Sequence, residues 1–132
     1  LQLFQSFIII TIELSDIKAG VDLFNDADFF AAHDFFEDLW SESSSEEKFF
    51  FQGLVHISVG SFHLISGNFK GALSQFSKGK MKLNGYVPLF LDVDVGNLIL
   101  DIDKIVSEMQ KERKIDFLDN LADKLPKIRY NK

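Results

Sequence analysis

The stretch EEKFFFQGLVHISVGSFHLIS, Glu46 to Ser66, carries apolar side chains on most sides of a helical projection. Phe50, Phe51, Leu54, Val55, Ile57, Val59, Phe62 and Ile65 together cover nearly the whole circumference. A helix of that kind has no face for solvent and must be enclosed by other elements. It is therefore expected at the centre of the fold, ended by Gly67 and followed by Asn68 as cap of the next helix.

The neighbours read as amphipathic helices that supply the enclosure. Ile17, Val21 and Phe24 recur at i, i+4, i+7 and predict a first helix over about 17–25, capped by Ser15 or Asp16. Asp28 is positioned to cap a second, in which Phe29, Ala32, His33, Phe36 and Trp40 share a face before the polar run SESSSEE. A fourth helix, about 69–83, turns Phe69, Ala72, Leu73, Phe76 and Leu83 inward and its lysines outward. NGYVPLFLDVD then interrupts the chain, and Asp94 can cap a fifth helix with Val95, Leu98, Ile102, Ile105 and Met109 on its buried side. A short helix before Pro126 completes the tail.

DFFAAHDFF (28–36) and NFKGALSQF (68–76) superpose at an offset of forty, aligning Asp28 with Asn68, Phe29 with Phe69, Ala32 with Ala72 and Phe36 with Phe76. Two such hairpins are too few and too widely spaced for a repeat array. The expected architecture is an all-α compact bundle of about five helices, two helical hairpins plus a C-terminal helix. Residues 16–112 form the bundle domain, 1–15 an unassigned extension, and 113–132 a tail.

At 132 residues the chain accommodates one core, and fifteen Phe provide much of it. The absence of cysteine excludes disulfides, thiolate metal sites and cysteine nucleophiles, and fits a reducing, cytoplasmic setting. Phe7 to Ile12 is too short to span a bilayer and lacks the basic flank of a secretory signal. Its β-branched run is suited to a strand or an extension.

Net charge is −6, unevenly distributed: residues 1–47 hold eleven acidic side chains and one Lys, while Lys48 to Leu91 contain no acid. Lys70, Lys78, Lys80 and Lys82 are read as a solvated face and not as a nucleic-acid signal. No partner is identified, and a homo-oligomer is compatible with the composition.

Chemistry concentrates in three helical turns. His33 and Glu37 are one turn apart and Trp40 nearly two turns from His33, so the three project in similar directions from the second helix, toward the core. Gln52, His56 and His63 form a polar stripe on the third, with Gly53 and Gly60 beside it to admit a neighbouring backbone. If the helices pack antiparallel these sets can meet. One arrangement is a structural network of His33, Glu37, Gln52 and Trp40 that fixes helix register. The other is a divalent-metal site, zinc or another first-row ion, with His33 and Glu37 completed by His56 or His63. A His/Glu acid–base pair without metal is a third use of the same spacing.

LFNDADFFAAHDFFEDLW, followed by FFFQGLVHISVGSFHLISGNFKGALSQF, resembles the small helical proteins grouped as domain of unknown function 309. Their hallmark is His, three residues, Glu, two residues, then Trp or Tyr, matched by His33, Glu37 and Trp40. Asn25 falls in the turn before the hallmark, and the similarity runs over about 17–107. It implies an all-helical bundle and metal binding by the His/Glu motif, without a known activity. Asp34 stands where the family usually has glutamate and His56 where glutamine is more frequent. The expected function is thus an intracellular bundle with a His33/Glu37 divalent-metal site between helices two and three, its reaction unknown. The alternative is a tetratricopeptide-like interaction or scaffold module with a buried His/Glu/Trp network.

Overall fold

A computed structural model describes residues 14–130, and among them six α-helices and one minimal hairpin make a mostly helical fold. They are α1 (Leu14–Asn25), α2 (Phe29–Glu42), α3 (Ser45–Ile65), α4 (Phe69–Leu83), α5 (Val95–Lys111) and α6 (Lys114–Asp119). Strands β1 (Leu89–Phe90) and β2 (Val93–Asp94) pair antiparallel between α4 and α5. The residues 1–13 that suit a strand or extension lie outside the described residues.

The helix starts follow the predicted side-chain chemistry. Asp28 accepts the Ala31 N–H at 3.4 Å, Asn68 the Gly71 N–H at 3.0 Å, and Asp94 the Asn97 N–H at 2.9 Å. At α1 the expectation fails: Ser15 and Asp16 lie within the helix, which is already formed at Leu14. The buried stripe of Ile17, Val21 and Phe24 is as expected.

The α1–α2 and α3–α4 turns are built alike. Asp28 N–H donates to Leu23 O and Ala27 N–H to Phe24 O, at 2.9 and 3.0 Å. At the offset of forty, Asn68 N–H donates to His63 O and Gly67 N–H to Leu64 O, at 2.8 and 3.1 Å. The sequence repeat is therefore a repeat of hydrogen-bonded turns, which closes two antiparallel hairpins with α3 beside α2 and α4.

Phe50, Phe51, Leu54, Val55, Ile57 and Leu64 of α3 are buried, as its apolar circumference demands. Ser58 and Ser61 lie in the same interior, and each returns its hydroxyl to the carbonyl four residues back, so neither leaves a polar group unsatisfied. Gly53 admits α4: a methyl on it would meet the Gly79 carbonyl at 3.4 Å, and one on Gly79 the Gly53 carbonyl at 3.2 Å. Phe62 and Ile65 depart from the expectation and are exposed, on a side of the last turns that stays uncovered while Ser61 and Leu64 of the same turns are buried.

The interruption after α4 holds a short 3-10 turn and the hairpin, an element that Pro88 hid from a strand reading. Tyr86 and Phe90 stack on Phe50 with ring centroids 5.5 and 4.9 Å away, fastening the segment to α3. The tail then crosses back over the bundle. Ile128 is buried, and its backbone N–H and C=O are both bonded by the Asn25 side chain, at 2.8 and 2.9 Å. No helix of the described residues is long and apolar enough to cross a membrane.

Candidate functional site

The α2 face bearing His33 begins with burial constraints. Phe29, Ala32 and Phe36 are the buried residues of this helix, which rolls His33 and Glu37 to the flank and not into the core. The His33 side chain is 25 % exposed and that of Glu37 53 %. The inward projection expected of this pair is corrected accordingly: three aromatic or small side chains one turn apart set the roll of α2, and the motif takes the remaining face.

Both imidazole nitrogens face carboxylates. His33 Nε2 stands 3.1 Å from Glu37 Oε2, and Nδ1 3.1 Å from Asp34 Oδ1. Carboxylates only accept, so both contacts are hydrogen bonds when both ring nitrogens carry hydrogen. The two acids lie on opposite edges of the ring and do not converge on one point.

Aromatic side chains border the group. Phe30, 61 % exposed, lies 6.0 Å from the His33 ring and 6.0 Å edge-on to Phe62 of α3, itself 39 % exposed. That contact marks the antiparallel register of α2 and α3. Ten residues along each helix, Trp40 and Gln52 reach the same level. Trp40 Nε1 and Gln52 Oε1 are both buried without a hydrogen-bond partner among the described residues. The satisfied indole donor expected of the network is not formed, although a donor and an acceptor stand at one height.

His56 and His63 serve the other hairpin. His56 Nδ1 donates to Gln75 Oε1 of α4 at 2.8 Å, and Asn68 Nδ2 lies 3.4 Å from His63 Nδ1 within the α3–α4 turn. Asn25 is engaged with Ile128 and takes no part in the His33 group. Among the described residues no three His, Cys, Asp or Glu side chains come together as an ion-binding group. The expected completion of His33 and Glu37 by His56 or His63 is therefore not seen among the described residues, because each of those two histidines is turned to an α4 or turn partner.

Residues 17–75 match the family profile described as Domain of unknown function (DUF309). Over these residues the chain is similar to the DUF309 family. The DUF309 match runs from α1 to the middle of α4, taking in the His33 group and the His56–Gln75 bond. It stops short of the hairpin and α5, which the resemblance over 17–107 had included. No curated protein matches the chain.

Sequence reasoning missed the aromatic border. Phe30 was legible as the one phenylalanine of FFAAHDFF on the polar side, but its meeting with Phe62 depends on the α2–α3 register. Among the described residues, clefts open between α3, α4 and the segment before β1, between α4 and α5, and between α5 and the tail, and these are not lined by His33, Glu37 or Trp40.

Proposed function

We propose that this protein is an interaction module whose α2–α3 face receives a segment carrying both basic and apolar side chains. The observation that carries this reading is the exposed Phe30–Phe62 pair beside His33 and its two carboxylates. Exposed aromatic faces attract apolar groups and cations alike, and carboxylates within reach select for lysine or arginine. Asp34, Glu37, Asp38 and Glu42 are all exposed along α2, so the fixed charges of that helix are of one sign.

The test is amide-shift mapping of the full chain with two peptides, one rich in Lys and Phe and the other in Glu and Phe. The reading expects shifts confined to α2 and the facing part of α3, with the basic peptide only, and weakened by Phe30→Ala. Equal shifts from both peptides, or none from the basic one, would refute it.

A second reading is divalent-ion binding by the same motif, favoured by the approach of His33 Nε2 and Glu37 Oε2 with Asp34 orienting the ring through Nδ1. These are two protein ligands, one fewer than the three usual at a catalytic zinc ion. The donor set fits an open, exchangeable ion completed by water or a partner, and does not fit a closed resident centre. Calorimetric titration with zinc separates the readings, since ion binding of this kind needs no peptide and is lost in Glu37→Ala.

A further inference from the structure

The repeat at forty residues relates the outer faces of α2 and α4 as well as their buried sides. Phe30, Asp34, Glu37, Asp38 and Ser41 are exposed on α2, and their equivalents Lys70, Ser74, Ser77, Lys78 and Met81 are all exposed on α4. The two helices thus turn the same positions to solvent, one on each side of α3. Their chemistry is opposite. α2 carries Asp34, Glu37, Asp38 and Glu42 and neither lysine nor arginine, whereas α4 carries Lys70, Lys78, Lys80 and Lys82 and no acid.

Two of the lysines are engaged within the fold: Lys80 pairs with Asp103 of α5, and Lys82 lies over the Phe49 ring at 4.4 Å. Lys70 and Lys78 make no ion pair among the described residues, and neither do Asp38 and Glu42. Met81, 71 % exposed, stands nearly one turn beyond Lys78 and lines a cleft with the exposed Phe49, where Glu46 is the acidic lining residue. The outer side of α4 is therefore a helical segment with both basic and apolar side chains, the chemistry that suits the α2–α3 face.

We propose, resting on the recognition reading above, that the partner of the α2–α3 face is the outer side of α4 on a second copy of this chain, with the two helices antiparallel. Phe30 to Glu42 spans twelve residues and Met81 to Lys70 eleven, so both rise by about 17 Å. Phe30 then meets Met81, Asp34 meets Lys78 and Glu42 meets Lys70. Phe62 beside Phe30, and Phe49 beside Met81, widen the apolar end of the contact. A parallel arrangement instead sets Phe30 against Lys70 and Met81 against Ser41, which leaves the apolar groups unmatched.

Each copy offers one face of each kind, so the contact is head-to-tail and its ends stay open. One helix laid on another is at the small end of protein interfaces, and the charge pairs are exposed, so association is weak and strongest at low salt.

Sedimentation equilibrium of the full chain at low ionic strength is expected to show mass rising with concentration without a plateau, and returning toward the monomer in salt. Asp34→Lys and Lys78→Asp change exposed residues, and each alone should weaken association at least about tenfold by placing like charges together. An equimolar mixture of the two should return to within about threefold of the parent, since the altered α2 of one variant faces the altered α4 of the other with the charges exchanged. A chain that stays monomeric, a plateau at the dimer, association that ignores both variants, or losses that the mixture does not restore would each overturn the proposal. The Lys- and Phe-rich peptide separates this outcome from failure of the recognition reading. Shifts on α2 in a chain that stays monomeric keep the face and remove this partner, whereas failure of the peptide as well removes the face itself.

Discussion

Ala27 and Gly67 hold the same position in the same turn, forty residues apart, with φ of 64° and 77°. The left-handed conformation costs an alanine about 1–2 kcal/mol and a glycine almost nothing, although glycine gives up about 0.5–1 kcal/mol of chain entropy. Ala27→Gly should therefore leave stability unchanged or raise it by up to about 1 kcal/mol, while Gly67→Ala lowers it by about 1 kcal/mol. Urea midpoints of the two variants should fall on opposite sides of the parent or, at the least, in that order. The reverse order would mean that the two turns are not equivalent.

Asn25 joins the first hairpin to the tail. Its amide presents a donor and an acceptor to the Ile128 backbone as a neighbouring strand would, and neither aspartate nor leucine can do both. Asn25→Leu should cost about 1–3 kcal/mol and increase proteolysis after residue 120, and Asn25→Asp should retain part of the loss. A parent-like denaturation midpoint in Asn25→Leu would show that the tail does not need this clamp.

Glu37 is more than half exposed, so its contact with His33 is expected to contribute little. Glu37→Ala should change stability by less than about 1 kcal/mol, as exposed ion pairs do. A loss of 3 kcal/mol or more, on the order of a broken buried pair, would place the motif in the interior after all.

The ion-binding reading makes an asymmetric prediction. His33→Ala should abolish zinc uptake at the motif, whereas His56→Gln should leave it unchanged, because His56 is bonded to Gln75 on α4. Side-by-side calorimetry decides the matter, and loss of uptake in His56→Gln would mean that one site had been divided wrongly.

Tyr130 supplies a pH dependence whose sign is fixed by its surroundings. Burial raises its phenol above the ordinary value, the Asp22 carboxylate adds to the rise, and Lys18 opposes it. The folded protein therefore keeps its proton to higher pH than the unfolded chain, and the contribution is whole below about pH 10 and lost as pH rises through the folded value. The buried hydroxyl has no hydrogen-bond partner among the described residues. Tyr130→Phe should thus be neutral or stabilising near pH 7 and should flatten the alkaline decline, and a destabilised, equally pH-sensitive variant would contradict both statements.

What the residues alone determined is local. Asp28, Asn68 and Asp94 cap because a short acceptor side chain precedes an apolar period, and the apolar stripes of α1, α4 and α5 follow from helical geometry whatever surrounds them. The repeat at forty residues was likewise legible, since turn chemistry is written in the turn itself. The similarity to the DUF309 family, too, is a property of the sequence, carried by residues 17–75.

Tertiary packing decided the roll and register of each helix. His33 and His56 each had a spacing that allowed a shared site, but Phe29, Ala32 and Phe36 claimed the inward face of α2, and Gln75 of α4 took His56. The meeting of Phe30 with Phe62 and the closure of Asn25 on Ile128 join residues thirty-two and one hundred and three positions apart. Periodicity states which side chains share a face of one helix. It does not state which other helix that face will meet, because that choice is made by the summed burial of the whole core and not by the few polar groups at its edge.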